Sequence, residues 1–142
     1  QAMRKIILYQ VDAYKSRYNG GTHFISEYSK KNFPVYDMHC DHVIPFKWIA
    51  KRFCEIHGID IGSDIMSSKD NNSIPEFTEK ELMDKWRDFH AKFPLRVVSS
   101  NENLSELAKY ANKKGKTYYY ELIEEILQNN GENDVKALKK HN

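Results

Sequence analysis

A mainly helical α+β fold is what this sequence predicts, and three observations predict it. Apolar residues recur at helical spacing in several separate segments, each punctuated by Gly, Asn or Pro. Two short apolar stretches, 36–43 and 95–99, read instead as strands. The 142 residues, 40% hydrophobic, are enough to bury one core without disulfide or metal staples, so a single domain over 1–142 is expected.

Residues 4–18 carry Ile7, Val11, Tyr14 and Tyr18 close to helical spacing and run into Asn19-Gly20-Gly21, which predicts one amphipathic helix with a firm stop. A second helix or turn is expected over 23–29, then Asn32-Phe33-Pro34, then the first strand over 36–43. Trp48, Ile49, Phe53 and Ile56 share one side of a helix over 46–56 that ends at Gly58. Residues 59–75, rich in Ser, Asp and Asn, read as a surface loop.

Thr78-Glu79-Lys80-Glu81 has the form of a capping box, opening a helix to about residue 92 that Pro94 closes. Leu82, Trp86, Phe89 and Phe93 form its apolar stripe, and such a stripe packs a core more often than it stacks on bases. Leu95-Arg96-Val97-Val98-Ser99 is the next strand and Ser100-Asn101-Glu102 a turn. Residues 103–106 are expected as a further strand, 107–113 as a short helix, and 117–128 as a helix stopped by Asn129-Asn130-Gly131. The tail over 134–140 forms a last turn or frays.

Several classes are excluded. No run approaches about eighteen consecutive apolar residues, which argues against a transmembrane span, and Gln1-Ala2-Met3 reads as an expression remnant rather than a signal peptide. Cys40 and Cys54, without any Cys-x-x-Cys, suggest buried thiols in a reducing cytosol. The expected location is therefore cytoplasmic, with a secreted or delivered toxin domain as the alternative. Repeats, low-complexity tracts and Gly-rich phosphate loops are all missing from the sequence.

The net charge of +2 says little, but its distribution says more. Residues 1–57 hold nine Lys/Arg against five Asp/Glu and 95–116 hold five against two, whereas 58–94 and 117–142 are net acidic. Basic charge collects in the segments that carry the chemistry described next, as a phosphate-binding surface requires. Lys47, Lys109, Lys113, Lys114 and Lys116 are the candidate nucleic-acid contacts. Each also suits a solvated helix end.

That chemistry begins at Met38-His39-Cys40-Asp41-His42-Val43-Ile44-Pro45, where an acid and an imidazole stand side by side as a strand runs out. Adjacent strand side chains point to opposite faces, so Asp41 and His42 reach one site only where the strand twists into the Val43-Ile44-Pro45 exit. Hydrolysing a phosphodiester needs a proton acceptor for water and a cation on the phosphoryl oxygens. Imidazole, with an ordinary pKa of roughly 6.5, suits the first task. Asp41 and Asn112 offer one carboxylate and one amide oxygen for the second. Alternatives stay open: Asp41-His42 as an ordinary turn, Asn112 as a helix-terminating residue before Lys-Lys-Gly, and His39 as a partly exposed strand histidine.

Together, Asp41-His42-x-Ile44-Pro45 and Asn103-Leu104-x-x-Leu107 followed by Asn112-Lys113-Lys114-Gly115-Lys116 resemble the two halves of the HNH endonuclease motif, also called the ββα-metal or His-Me finger. The resemblance covers about thirty residues and includes the nine-residue step from Asn103 to Asn112. It implies a β-hairpin-plus-helix finger set in a mainly helical domain; the gap between the halves is longer than in compact members of the family, a departure read as a helical insertion at about 46–94. It also implies a metal-dependent endonuclease acting on DNA, most simply double-stranded, with Mg²⁺ or Mn²⁺. On this resemblance His42 is the general base, Asp41 and Asn112 are the metal ligands, Asn103 pins the loop to the strand backbone, and His39 is a possible further site residue. Many relatives carry paired zinc knuckles; with only Cys40 and Cys54, a structural zinc is not expected. A nuclease for RNA or branched substrates, or a module that binds nucleic acid without cutting it, is the alternative. A protein partner or further domains remain open.

Overall fold

A computed structural model of the protein describes residues 3–59 and 79–129. The segment expected as one helix over 4–18 is broken at Ile7 (φ −104°, ψ 5°) into α1 (Met3–Ile6) and α2 (Leu8–Ser16). The break sets Met3, Ile6 and Ile7 at 2% exposure or less while α2 packs against two of the strands that follow. Burying each such side chain is worth about 1.5–3 kcal/mol, more than the roughly 1 kcal/mol of a lost helical hydrogen bond.

Residues 23–29, expected as a helix or turn, begin instead with β1 (His23–Ile25), paired antiparallel with β2 (Asn32–Pro34). The partners Phe24 and Phe33 hold this hairpin, their rings 6.0 Å apart, and Lys30 closes its turn at φ 66°. One buried residue in a three-residue strand leaves too short a pattern to distinguish from a turn in the sequence.

After a 3₁₀ turn, β3 (Met38–His42) runs antiparallel to β4 (Leu95–Ser99) with Cys40 opposite Val97 and Asp41 opposite Arg96. Residues 103–106, expected as a strand, lie instead in a π-helical turn (Glu102–Leu107), and β4 is the strand that pairs with β3. The Glu102 carboxylate decides this: it accepts from Ser99 N at 3.0 Å and Ser26 Oγ at 2.8 Å, ending β4 and starting the turn. Next comes α5 (Ala108–Gln128), interrupted at Gly115 (φ 77°, ψ −173°), a backbone state that glycine adopts without a side-chain clash. The interruption falls where the sequence separates its two expected helices.

Between β3 and β4 in the chain stand α3 (Phe46–Ile56) and α4 (Lys80–His90). Glu79 holds the N-cap position of α4 without a side-chain bond, whereas Thr78, the tail over 134–140 and all but Ile59 of the loop expected over 59–75 lie outside the described residues. The aromatic stripe of α4 is core. Trp86 is fully buried, donates to Met3 O at 2.9 Å, and packs with Phe46 and Phe53 of α3, in a cluster that takes in Leu122, Ile123 and Ile126 of α5. The result is a mixed helix-and-sheet architecture of two small antiparallel strand pairs among helices, as the α+β expectation had it.

Candidate functional site

Where β3 runs out, β4 passes beside it and the turn into α5 begins, the three border a cavity of about 290 Å³. Asp41, His42, Arg96 and Asn103 contribute to its wall, with Arg4 from α1 and Tyr110 and Tyr119 from α5. Asp41 and His42 both reach this cavity, as the twist at the end of the strand requires.

Asp41 lies opposite Arg96 on the ladder, and Arg96 Nε donates to Asp41 Oδ2 at 2.9 Å. Burial raises the Asp41 pKa above the usual carboxylate value, against the Arg96 guanidinium, which lowers it.

His42 packs edge-on against Phe46 and places Nε2 at 2.8 Å from Nε2 of His90 on α4. Burial, and then the positive charge of His90 and Arg4, depresses its pKa to about 3. The ordinary imidazole pKa expected from the sequence does not hold for this environment. The ring is neutral at physiological pH by a wide margin.

Asn103 donates from Nδ2 to His39 Nδ1 at 3.1 Å, which leaves its amide oxygen as the acceptor end. It thus ties the turn to β3 through a side chain rather than through the strand backbone. His39 and Asp41, two apart on the strand, share a side, so Asn103 sits on the Asp41 side of the sheet.

Asn112 is placed differently. It is exposed on α5, three residues before the interruption, and is not among the residues that border the cavity. Lys47, Lys109, Lys113, Lys114 and Lys116 do not border it either. Lys114 Nζ lies over the rings of Tyr110 and Tyr118 at 5.4 and 4.9 Å, Lys116 over Tyr120 at 5.1 Å and Lys47 over Trp48 at 4.9 Å. The basic groups at the cavity itself are Arg4 and Arg96.

Among the described residues no three His, Cys, Asp or Glu side chains converge as a ready cation cage. Asp41, already bonded to Arg96, and Asn103 border the cavity with a carboxylate and an amide oxygen, beside the hydroxyl-bearing Tyr110 and Tyr119; such a set suits at most a weakly held, largely hydrated magnesium. Cys54 is buried and Cys40 half-buried, and burial raises their thiol pKa values to about 11 and about 12.

Neither Arg96 nor His90 stands out as a site residue in the sequence. Arg96 has a signal only once Asp41 is known to be its cross-strand partner. His90 sits four residues after Trp86, on the apolar stripe of α4, where a histidine is a polar group among core residues and so needs a partner. Among the described residues no helix is long and apolar enough to cross a membrane. Comparison with family models, with curated proteins and with solved structures finds no match.

Proposed function

We propose that this chain is a metal-dependent nuclease of the ββα-metal type, with the cavity at Asp41 as its site. One observation carries the reading: an adjacent Asp41-His42 pair at the end of β3, an antiparallel β4, and a helical turn bringing Asn103 to the same cavity, in that chain order. Arg4 and Arg96 line the cavity and suit the non-bridging oxygens of a phosphodiester.

His42, neutral and bordering the cavity, is the residue assigned to take the proton from the attacking water, a step for which a pKa of about 3 makes it a weak base. Asp41 and Asn103 would hold Mg²⁺ or Mn²⁺, which when bound neutralises charge on the phosphate and its leaving oxygen. This assigns Asn103, in place of Asn112, to the ligand role. Asn112 and the lysines beside it belong to the surface along which the flanking nucleic acid runs. Double-stranded DNA is the substrate proposed first.

A second reading has a specific observation behind it. Asp41 is neutralised by Arg96 and His42 is engaged with His90, which also suits a module that binds nucleic acid without cutting it. Incubating the protein with plasmid DNA, single-stranded DNA and RNA in Mg²⁺ and in Mn²⁺ separates the readings. Cleavage lost in His42→Ala supports the nuclease and its substrate class. Binding to DNA with no cutting of any substrate would leave the binding module.

A further inference from the structure

We infer that Gln10 and His90 are positioning residues that set the tautomer of His42, leaving Nδ1 as its one basic nitrogen. The chain of hydrogen bonds has a fixed end. Arg87 O is a backbone carbonyl and can only accept, so the group 3.0 Å from it on Gln10 is the amide Nε2 donating. The other end of that amide, Oε1, then faces His90 Nδ1 at 2.6 Å, and because Oε1 can only accept, Nδ1 carries the proton.

A neutral imidazole carries one proton, so His90 Nε2 is left with a lone pair. That lone pair faces His42 Nε2 at 2.8 Å, and two lone pairs cannot face each other at this distance, so His42 Nε2 donates. His42 Nδ1 is consequently the acceptor nitrogen of its ring. His90 is held neutral by burial, which lowers its pKa to about 4. His90 is 1% exposed and is wedged edge-on to His42 and beside Phe46 and Trp86, so rotation of its ring is sterically opposed.

The arrangement gives α2 and α4 a part in the chemistry. His42 borders the cavity with Asp41, while His90 and Gln10 border a second one of about 760 Å³ that shares Val43 and Arg96 with it. A base is useful only if its lone pair is on the nitrogen that meets the water, and a pre-set tautomer removes the misprotonated fraction of the population. The bearing on catalysis rests on the nuclease reading proposed above, whereas the tautomer does not.

Long-range ¹H–¹⁵N correlation spectra of the uniformly ¹⁵N-labelled protein at pH 7.5 read each ring nitrogen directly. The expected result is a protonated, pyrrole-type Nε2 and a pyridine-type Nδ1 for His42, with the opposite pattern for His90. A protonated Nδ1 on His42 would overturn the inference. Gln10→Leu removes the fixed acceptor without touching either histidine and should turn both patterns into mixtures; unchanged patterns would equally overturn it. Plasmid cleavage by the same samples keeps the two ideas apart. Cleavage with His42 protonated on Nδ1 retires the relay and leaves the nuclease, while the expected tautomers without cleavage of any nucleic acid support the relay and retire the nuclease.

Discussion

Asp41 and Arg96 face one another across the β3–β4 ladder, with Arg96 Nε donating to Asp41 Oδ2 at 2.9 Å. Their side chains are 17% and 22% exposed, so the pair is shielded enough to matter and open enough to exchange partners. It sets the charge of the cavity.

Removing the guanidinium should therefore show in stability. Arg96→Gln leaves a largely buried carboxylate without its counter-charge and is expected to cost about 1–3 kcal/mol in urea unfolding. The double variant with Asp41→Asn should recover part of that loss. Full additivity of the two single effects would mean the pair contributes nothing as a pair.

Asn103 and Asn112 should behave oppositely. Asn103→Ala is expected to weaken Mn²⁺ binding in titration calorimetry and to lower cleavage, because its amide borders the cavity and bonds His39. Asn112→Ala, exposed on α5, should change stability by less than about 0.5 kcal/mol and leave metal affinity alone. Reversal of that order would return Asn112 to the ligand role.

Acid should destabilise the protein through the histidine pair. Both folded pKa values lie below the unfolded value near 6.5, so the unfolded chain takes up protons first as the pH falls. The pair's contribution is whole above about pH 6.5 and is lost progressively toward about 4 and about 3. Urea midpoints between pH 7.5 and 4.5 should fall steeply in the native chain and less so in His90→Leu. Equal slopes would mean that other groups carry the acid sensitivity.

Lys113, Lys114 and Lys116 should report on the nucleic-acid path. Each lost phosphate contact lowers the slope of log K against log salt by about 0.9 for duplex DNA without altering sequence preference. Neutralising all three to Gln and measuring binding in Ca²⁺ isolates that contribution. Unchanged slopes would mean the lysines only solvate the end of the helix, and the basic residues of the N-terminal helices, from Arg4 to Arg17, would be examined next.

Local pattern sufficed for a good part of the fold. The spacing of Ile49 and Phe53, the Trp86, Phe89 and Phe93 stripe, the strand over 95–99 and the separation of two helical stretches around residues 114–116 each depend on residues close in sequence, and each appears where expected. The first helix did not keep its length, because Met3, Ile6 and Ile7 gain more by burying together than by continuing one helix. Residues 103–106 became a helical turn because a glutamate one residue earlier bonds to Ser26, which is 76 residues away.

The sequence by itself determined that an acid and an imidazole stand adjacent at a strand end, since adjacency is covalent and the Pro45 exit is local. Tertiary structure alone decided what each of them faces. Arg96 meets Asp41 through a strand register, and His90 meets His42 across 48 residues. Partners and burial, not residue type, then set protonation: the same imidazole that would titrate near neutrality in water is held neutral here by an apolar wall and a second ring.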